Sequence, residues 1–209
     1  MLTDTQLEEL GDRMSVPLEG VYFKDELPSL KTNKSYIINL QDSETDEGDQ
    51  NDGSHWVYLE IRKSPNGKIQ PYYFDPYGAP PPEIVKTKVK DKFKLYLPYN
   101  NKDIQSLMNE ACGYYCLAMG HYLNAFKERT NDIYLDASTF VDMFDDLNVS
   151  IDWKKNEYIL KQFFMSEDPS KRINDDVFSD KTNNKYDRIV KEGCGRPDIA
   201  QIPVEVKYI

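Results

Sequence analysis

The stretch SHWVYLEIRKSPNGKIQPYYFD, residues 54–75, constrains this chain more than any other. His55 to Arg62 alternates in the β manner, Ser-Pro-Asn-Gly marks a turn, and residues 68–75 return as a second strand. Loop length then decides which side chains meet. A five-residue loop, Lys63 to Gly67, pairs Arg62 with Lys68 and sets His55 directly across from Asp75 on one face. A two-residue Asn-Gly turn instead pairs Tyr58 with Asp75 and sends His55 to the other face. A His55–Asp75 pair therefore requires an odd loop or a bulge. Such a pair orients an imidazole and stabilises its charged form, as a general base needs. Spacing alone leaves a surface histidine beside an unrelated turn aspartate equally open.

Around this hairpin, residues 4–13 read as a short amphipathic helix with Leu7 and Leu10 on one side, and SYIINL (35–40) as a buried strand. DSETDEGDQNDG (42–53) is an acidic, solvated loop. APPPEIV starts a helix with proline in its first turn, and KFKLYLPYNN (92–101) reads as a further strand. Gly113 to Phe126 is helical by pattern, as are 138–147, with Ser138 or Thr139 as N-cap, and 155–164. Strands and helices mix without a βαβ rhythm, which predicts the α+β class. A chain of 209 residues suits one well-buried core. From Ser166 the chain turns polar and charged and reads as an extension on that core.

A formal net charge of −10 argues against a chain that binds nucleic acid as a whole. The local run Lys86, Lys88, Lys90, Lys92 and Lys94 reads as a solvated face or as charges guarding a strand edge, with a nucleic-acid or acidic-partner contact as the alternative. No long apolar run predicts a membrane span, and the acidic N-terminal stretch lacks a signal-peptide pattern, so an intracellular protein is expected. Three cysteines, Cys112, Cys116 and Cys194, are read as free thiols. A metal site is not expected, because beyond the Cys112–Cys116 pair only Cys194 and two scattered histidines remain as soft ligands. No cofactor is expected either.

Any histidine-dependent chemistry must use His55 or His121. On a helix the nine residues from Cys112 to His121 turn through about 900°, which puts His121 on the opposite face and excludes it as that cysteine's base. Cys112 precedes Gly113 at the start of the helical pattern. A thiol at a helix N-terminus is favoured as thiolate, and backbone N–H groups there can hold an oxyanion. Gly113 would let a substrate backbone approach closely. Taken alone, such a cysteine is more often a small buried hydrophobe, the reading that also suits Cys116 one turn on.

Together, GSHW (53–56), YYFDPYGAPPP (72–82) and QSLMNEACGYYC (105–116) resemble the adenovirus-type cysteine proteinases. The likeness is to the branch found in virophages and Polinton-like elements, and more distantly to the ubiquitin-like-protein-specific proteases. In that family His-Trp opens one strand, an acidic residue ends the next, a glutamine stands seven before the nucleophile, and Cys-Gly opens the central helix. His55, Asp75, Gln105 and Cys112 match that order, and LEGVYFKDELPSL resembles the family's lead-in.

The resemblance spans roughly residues 1–165. It implies a papain-like architecture with permuted element order, in which a mixed central sheet packs on a helix starting at the nucleophile. It further implies Cys112 as nucleophile, His55 as base, Asp75 as its orienter and Gln105 in the oxyanion hole, with substrate contacts at Gly53, Trp56 and Gly113. The implied substrates are capsid or core precursor proteins cut during particle maturation, in the host cell and virion. Modifier-specific proteolysis and a catalytically silent binding module are the alternatives. An activating peptide or DNA, known in adenovirus enzymes, is unproven here: those enzymes are basic, and every residue before Cys112 is non-cysteine, so their activator disulfide has no counterpart. The family's preference for small residues makes Gly193-Cys194-Gly195, in residues 166–209, a candidate self-processing site.

Overall fold

The computed structural model describes residues 1–51, 53–107, 109–150 and 153–164. Residues 165–209, with Cys194, the candidate processing segment and the expected extension, lie outside the described residues, as do Asp52 and Met108. The elements run α1 (Asp4–Arg13), β1 (Leu18–Phe23), β2 (Lys34–Asn39), β3 (Trp56–Lys63), β4 (Ile69–Phe74), α2 (Glu83–Phe93), α3 (Cys112–Thr130), α4 (Ile133–Asp142) and α5 (Trp153–Gln162). The class is α+β, as expected: a four-stranded mixed sheet packed against helices. The strands lie in chain order, β1 parallel to β2 and the other neighbours antiparallel. Among the described residues no helix is long and apolar enough to cross a membrane.

Both faces of the sheet are covered, so β3 is buried continuously from Trp56 to Arg62. Ile37, Trp56, Tyr58, Tyr72 and Phe74 pack toward α1, α3, α4 and α5. The alternate residues Tyr36, Ile38, Val57, Leu59 and Tyr73 pack toward Val85 and Val89 of α2 and toward Leu27 and Leu30. The central helix α3 crosses β3 closely: a Cβ on Gly120 would stand 2.9 Å from the Tyr58 ring and 2.5 Å from Val16. Phe140 of α4 locks the helical layer, meeting Phe74 edge-on at 5.8 Å and lying against Tyr122, Phe144 and Phe163.

Three readings of the elements need correction. The strand read at 92–101 is absent. The lysine run belongs to α2, where Val85 and Val89, four apart, supply the buried stripe, and Lys94 closes the helix with φ 60°. Period-2 lysines on a helix point in nearly opposite directions, so they guard no strand edge. Only Tyr99 touches the sheet, through a parallel bridge to Tyr73. Strand β1 was not foreseen, because a six-residue edge strand after Pro17 with Gly20 inside it carries little β signal. Helix α4 starts five residues earlier than expected. Asp132 is its cap, accepting from Tyr134 N at 2.9 Å, while Thr139 sits inside the helix, its hydroxyl donating to Leu135 O at 2.8 Å.

The hairpin has the odd loop that a His55–Asp75 pair requires, though one shorter than five residues. Its loop has three residues, Pro65 to Gly67, closed by Ser64 N to Lys68 O at 2.9 Å, with Gly67 at φ 85°. Arg62 therefore pairs with Gln70 and Tyr58 with Phe74, a register two residues from the one that sets His55 straight across from Asp75. A slip of two, unlike a slip of one, keeps every side chain on its face. His55 and Asp75 thus become diagonal neighbours at the end of the hairpin.

Candidate active site

His55 stands just before β3, at the end of the acidic loop, and the base of that loop is pinned. Asn39 Oδ1 accepts from Gln41 N at 3.0 Å and from Ser54 N at 3.2 Å, and His55 O accepts from Leu40 N at 3.0 Å. Gly53 has φ 81°, and a Cβ there would collide with Asn39 Nδ2 at 2.3 Å, so this position suits glycine alone. The part played by Gly53 in the geometry is thus to let Asn39 hold the strand entry.

His55 Nε2 lies 2.8 Å from Asp75 Oδ1. Asp75, just past β4, is buried, and a second clamp holds its backbone: Asp75 N donates to Asn100 Oδ1 at 2.9 Å and Asn100 Nδ2 donates to Asp75 O at 2.7 Å. The turn Asp75-Pro76-Tyr77-Gly78 closes through Gly78 N to Asp75 O, and Tyr77 N donates to Asp75 Oδ1 at 2.8 Å. Pro76 O in turn accepts from Ile104 N and Gln105 N, so one short turn anchors both the carboxylate and the segment leading to α3. The Tyr77 ring stacks on the His55 ring, centroids 4.5 Å apart and planes 23° from parallel.

Cys112 opens α3 and is 2 % exposed. Its thiol lies close enough to the His55 ring to act on that ring's ionisation. Since Nε2 is engaged by Asp75, the nitrogen left for sulfur is Nδ1. Burial works against the His55 charge, but the hydrogen bonds with Asp75 and with Cys112 outweigh it and raise the imidazole to about 9. The N–H of Cys112, at the first helical position, has no intrahelical acceptor.

Gln105 is 1 % exposed and lies beside these groups. Its Nε2 donates to Tyr77 Oη at 3.2 Å and to Asn109 O at 3.1 Å, while Oε1 has no partner among the described residues. The segment between Gln105 and Cys112 is tied to α5. Asn156, fully buried, donates to Ile104 O at 3.0 Å, and the side chains of Asn109 and Glu157 bond one another.

Two residues expected at substrate are turned inward instead. Trp56 is buried and donates Nε1 to Leu2 O at 3.0 Å. The space beside Gly113 is filled by Leu7 and Leu2, so its missing side chain admits α1 rather than a ligand. Both corrections have one cause: the N-terminal segment and α1 cover that side of α3. Cys116 donates its thiol to Trp56 O at 3.4 Å, and burial pushes its ionisation well up, so it is a packing residue. His121 Nδ1 meets Met14 O at 2.6 Å on the far side of α3, as the helical rotation requires.

Sequence reasoning missed Tyr77, Asn100 and Asn156. Tyr77 lies inside the quoted FDPYG and was within reach as an aromatic two residues past the acid. Asn100 and Asn156 carry no local signal, since their partners are distant in the chain. Chemically, a thiol, an imidazole and a carboxylate in contact can transfer a proton from sulfur to the ring and hold the resulting ion pair. Among the described residues no three His, Cys, Asp or Glu side chains converge as metal ligands. No protein-family model matches the chain, and neither does any curated protein.

Proposed function

We propose that this chain is a cysteine endopeptidase working through Cys112, His55 and Asp75. The single observation that carries the reading is the linked set itself: Asp75 Oδ1 2.8 Å from His55 Nε2, with Cys112, at the start of α3, acting on the ionisation of the same ring. The resemblance of GSHW, FDPYG and Gln105–Cys112 to the adenovirus-type proteinases supports it independently, and with it a papain-like fold of permuted element order.

In this reading His55 takes the thiol proton, and the Cys112 sulfur attacks the scissile carbonyl carbon. The carbonyl oxygen becomes an oxyanion, held by the Cys112 N–H and by a donor on the Gln105 side. The imidazolium then gives its proton to the leaving amine as the C–N bond breaks. Water, deprotonated by His55, attacks the acyl-enzyme, and the thiol is regenerated with release of the acid. Asp75 keeps the ring in place and favours its charged form throughout. The substrates are capsid or core precursors, and the enzyme works without a cofactor.

The test is co-expression of the full chain, wild type and Cys112→Ala, with candidate precursors and with ubiquitin-like conjugates, followed by sequencing of new termini. Precursor cleavage that vanishes in the variant is the expected result. Cleavage of modifier conjugates alone would move the substrate class to modifier proteolysis. No cleavage of either, with Cys112 alkylated no faster than Cys116 or Cys194, would make the chain a silent binding module.

A further inference from the structure

The geometry points to Asn109 as the residue that positions both donors of the oxyanion hole, with Glu157 of α5 holding its side chain in place. The inference rests on the peptidase reading, in which Gln105 and the Cys112 N–H serve the oxyanion, and it adds what fixes them. Asn109 stands between the two, four residues after Gln105 and three before Cys112. Its backbone oxygen accepts from Gln105 Nε2 at 3.1 Å. Its side-chain Oδ1 accepts from Ala111 N, at the cap of α3, at 3.3 Å. A backbone N–H can only donate, so the atom facing Ala111 is the oxygen, and Nδ2 is left to donate to the Glu157 carboxylate. Asn109 N in turn donates to Ser106 O at 3.2 Å. Every polar atom of Asn109 is thus engaged, and each bond restrains the segment that joins the two donors.

Glu157 reaches Asn109 from a locked element. The neighbouring Asn156 accepts from Asp145 N at 2.7 Å and donates to Asp145 O at 2.7 Å and to Ile104 O at 3.0 Å. Past the end of α5, Phe163 and Phe164 are buried, and Phe164 meets Tyr114 edge-on at 5.3 Å. Helix α5 is therefore tied both to the residue just before Gln105 and to the first turn of α3. Of the two Gln105 amide hydrogens, the one on Asn109 O anchors the carboxamide. The other lies on the neutral Tyr77 oxygen at 3.2 Å and passes to a developing oxyanion, which is the stronger acceptor. Donors fixed before the reaction need no reorganisation as charge develops, and loosening them forfeits that advantage. Glu157 and the Asn109 side chain touch no reacting atom. They act through Gln105 and through the backbone that enters Cys112.

The experiment compares full-length wild type, Cys112→Ala, Asn109→Ala, Glu157→Ala and Glu157→Gln with two small reagents. Acylation of the thiol by p-nitrophenyl acetate passes through an oxyanion, whereas alkylation by iodoacetamide is a displacement that forms none. Cys112→Ala reports the background from other nucleophiles. Asn109→Ala and Glu157→Ala are expected to slow acylation by about tenfold or more, with alkylation of Cys112 within about twofold of wild type. Glu157→Gln keeps an acceptor for Asn109 Nδ2 and should acylate close to the wild-type rate. Acylation unchanged in both alanine variants, alkylation slowed as much as acylation, or Glu157→Gln as slow as Glu157→Ala would overturn the inference and leave the peptidase reading intact. Wild type releasing p-nitrophenol no faster than Cys112→Ala would remove that reading and the inference with it. If Asn109→Ala folds poorly by urea titration, Glu157→Ala carries the test, since it leaves Asn109 in the chain and removes only its partner.

Discussion

The β3–β4 hairpin buries charged groups at both ends, and the two ends are built differently. Near the turn, each nitrogen of Arg62 is bonded: Nε to Glu60 Oε1 at 3.1 Å, Nη1 to Asp136 Oδ2 at 2.7 Å and Nη2 to Leu123 O at 2.9 Å. Glu60 also accepts from Tyr58 Oη, and Asp136 from Thr130 Oγ1, so every carboxylate oxygen there has a donor. At the far end, Asp75 Oδ2 and Gln105 Oε1 are buried without a partner among the described residues, although His55 and Asp75 are themselves well bonded. The Arg62 network joins β3 to α3 and α4 with each carboxylate oxygen bonded, although Ser35 Oγ and Gln70 Oε1 beside it are buried without a partner among the described residues. An under-satisfied network carries unused hydrogen-bonding capacity, which is costly in a folded core and common where chemistry is done. The difference separates the end that holds the structure from the end proposed to act.

That contrast breaks most sharply with substitutions at the two ends. Cys112→Ala should abolish turnover, a loss on the order of 10⁴ or more, with the urea unfolding midpoint almost unmoved. At the other end, Arg62→Met should leave Glu60 and Asp136 buried without their cation and cost about 3–5 kcal/mol of stability by urea titration. The folded fraction of that variant should keep its alkylation rate at Cys112. If Arg62→Met slows alkylation as much as it destabilises, the two ends are coupled and the separation fails.

Asn100→Ala removes the clamp on the Asp75 backbone. It should cost about 1–3 kcal/mol and lower kcat more than it raises KM, because the carboxylate that orients His55 is freed. A variant equally destabilised but with unchanged kcat would show that the clamp serves the fold only.

The effect of pH sharpens the comparison further. His55 binds its proton more tightly folded, about 9 against the ordinary 6.5. Its contribution to stability is therefore complete below about pH 6.5 and is lost as pH rises through about 9. The unfolding free energy of wild type relative to His55→Ala should shrink over that window. Turnover should fall in the same range, as the imidazolium that protonates the leaving amine disappears, whereas alkylation of the thiolate by iodoacetamide should not. The smallest expected effect is away from the catalytic end: Asp132→Ala removes the α4 cap and should cost about 1 kcal/mol, with activity unchanged.

Much of the site was legible because its members sit where local patterns are strong. His55 and Asp75 flank two alternating strands, so any odd loop between them puts the pair on one face, and a two-residue difference in register did no harm. Cys112 lies where a helical pattern begins. The failures are of other kinds. KFKLYLPYNN alternates like a strand, yet Val85 and Val89 upstream pull its first residues into α2, and the cap at Lys94 ends that helix. Ser138 and Thr139 are good caps in general, and Asp132 was an equally good one closer to the apolar run. Trp56 and Gly113 were assigned to substrate although nothing local reveals that α1 and Leu2 lie over them.

What the sequence by itself determined is therefore the set of elements with clear periodicity, the α+β class, and the separation of Cys112 from His121. These follow from the two-residue and 3.6-residue repeats, which are properties of the backbone and need no neighbours. Only the tertiary structure decided which groups hold the site in place: Asn100 on Asp75, Asn39 on Ser54, Asn156 on the segment before Cys112, and Tyr77 between His55 and Gln105. Each of the three asparagines satisfies a backbone group 15 or more residues away, and Tyr77 meets His55 and Gln105 only because one turn anchors two distant segments. Polar groups in a core must find partners wherever the fold brings them, and no periodic pattern in the chain records that requirement.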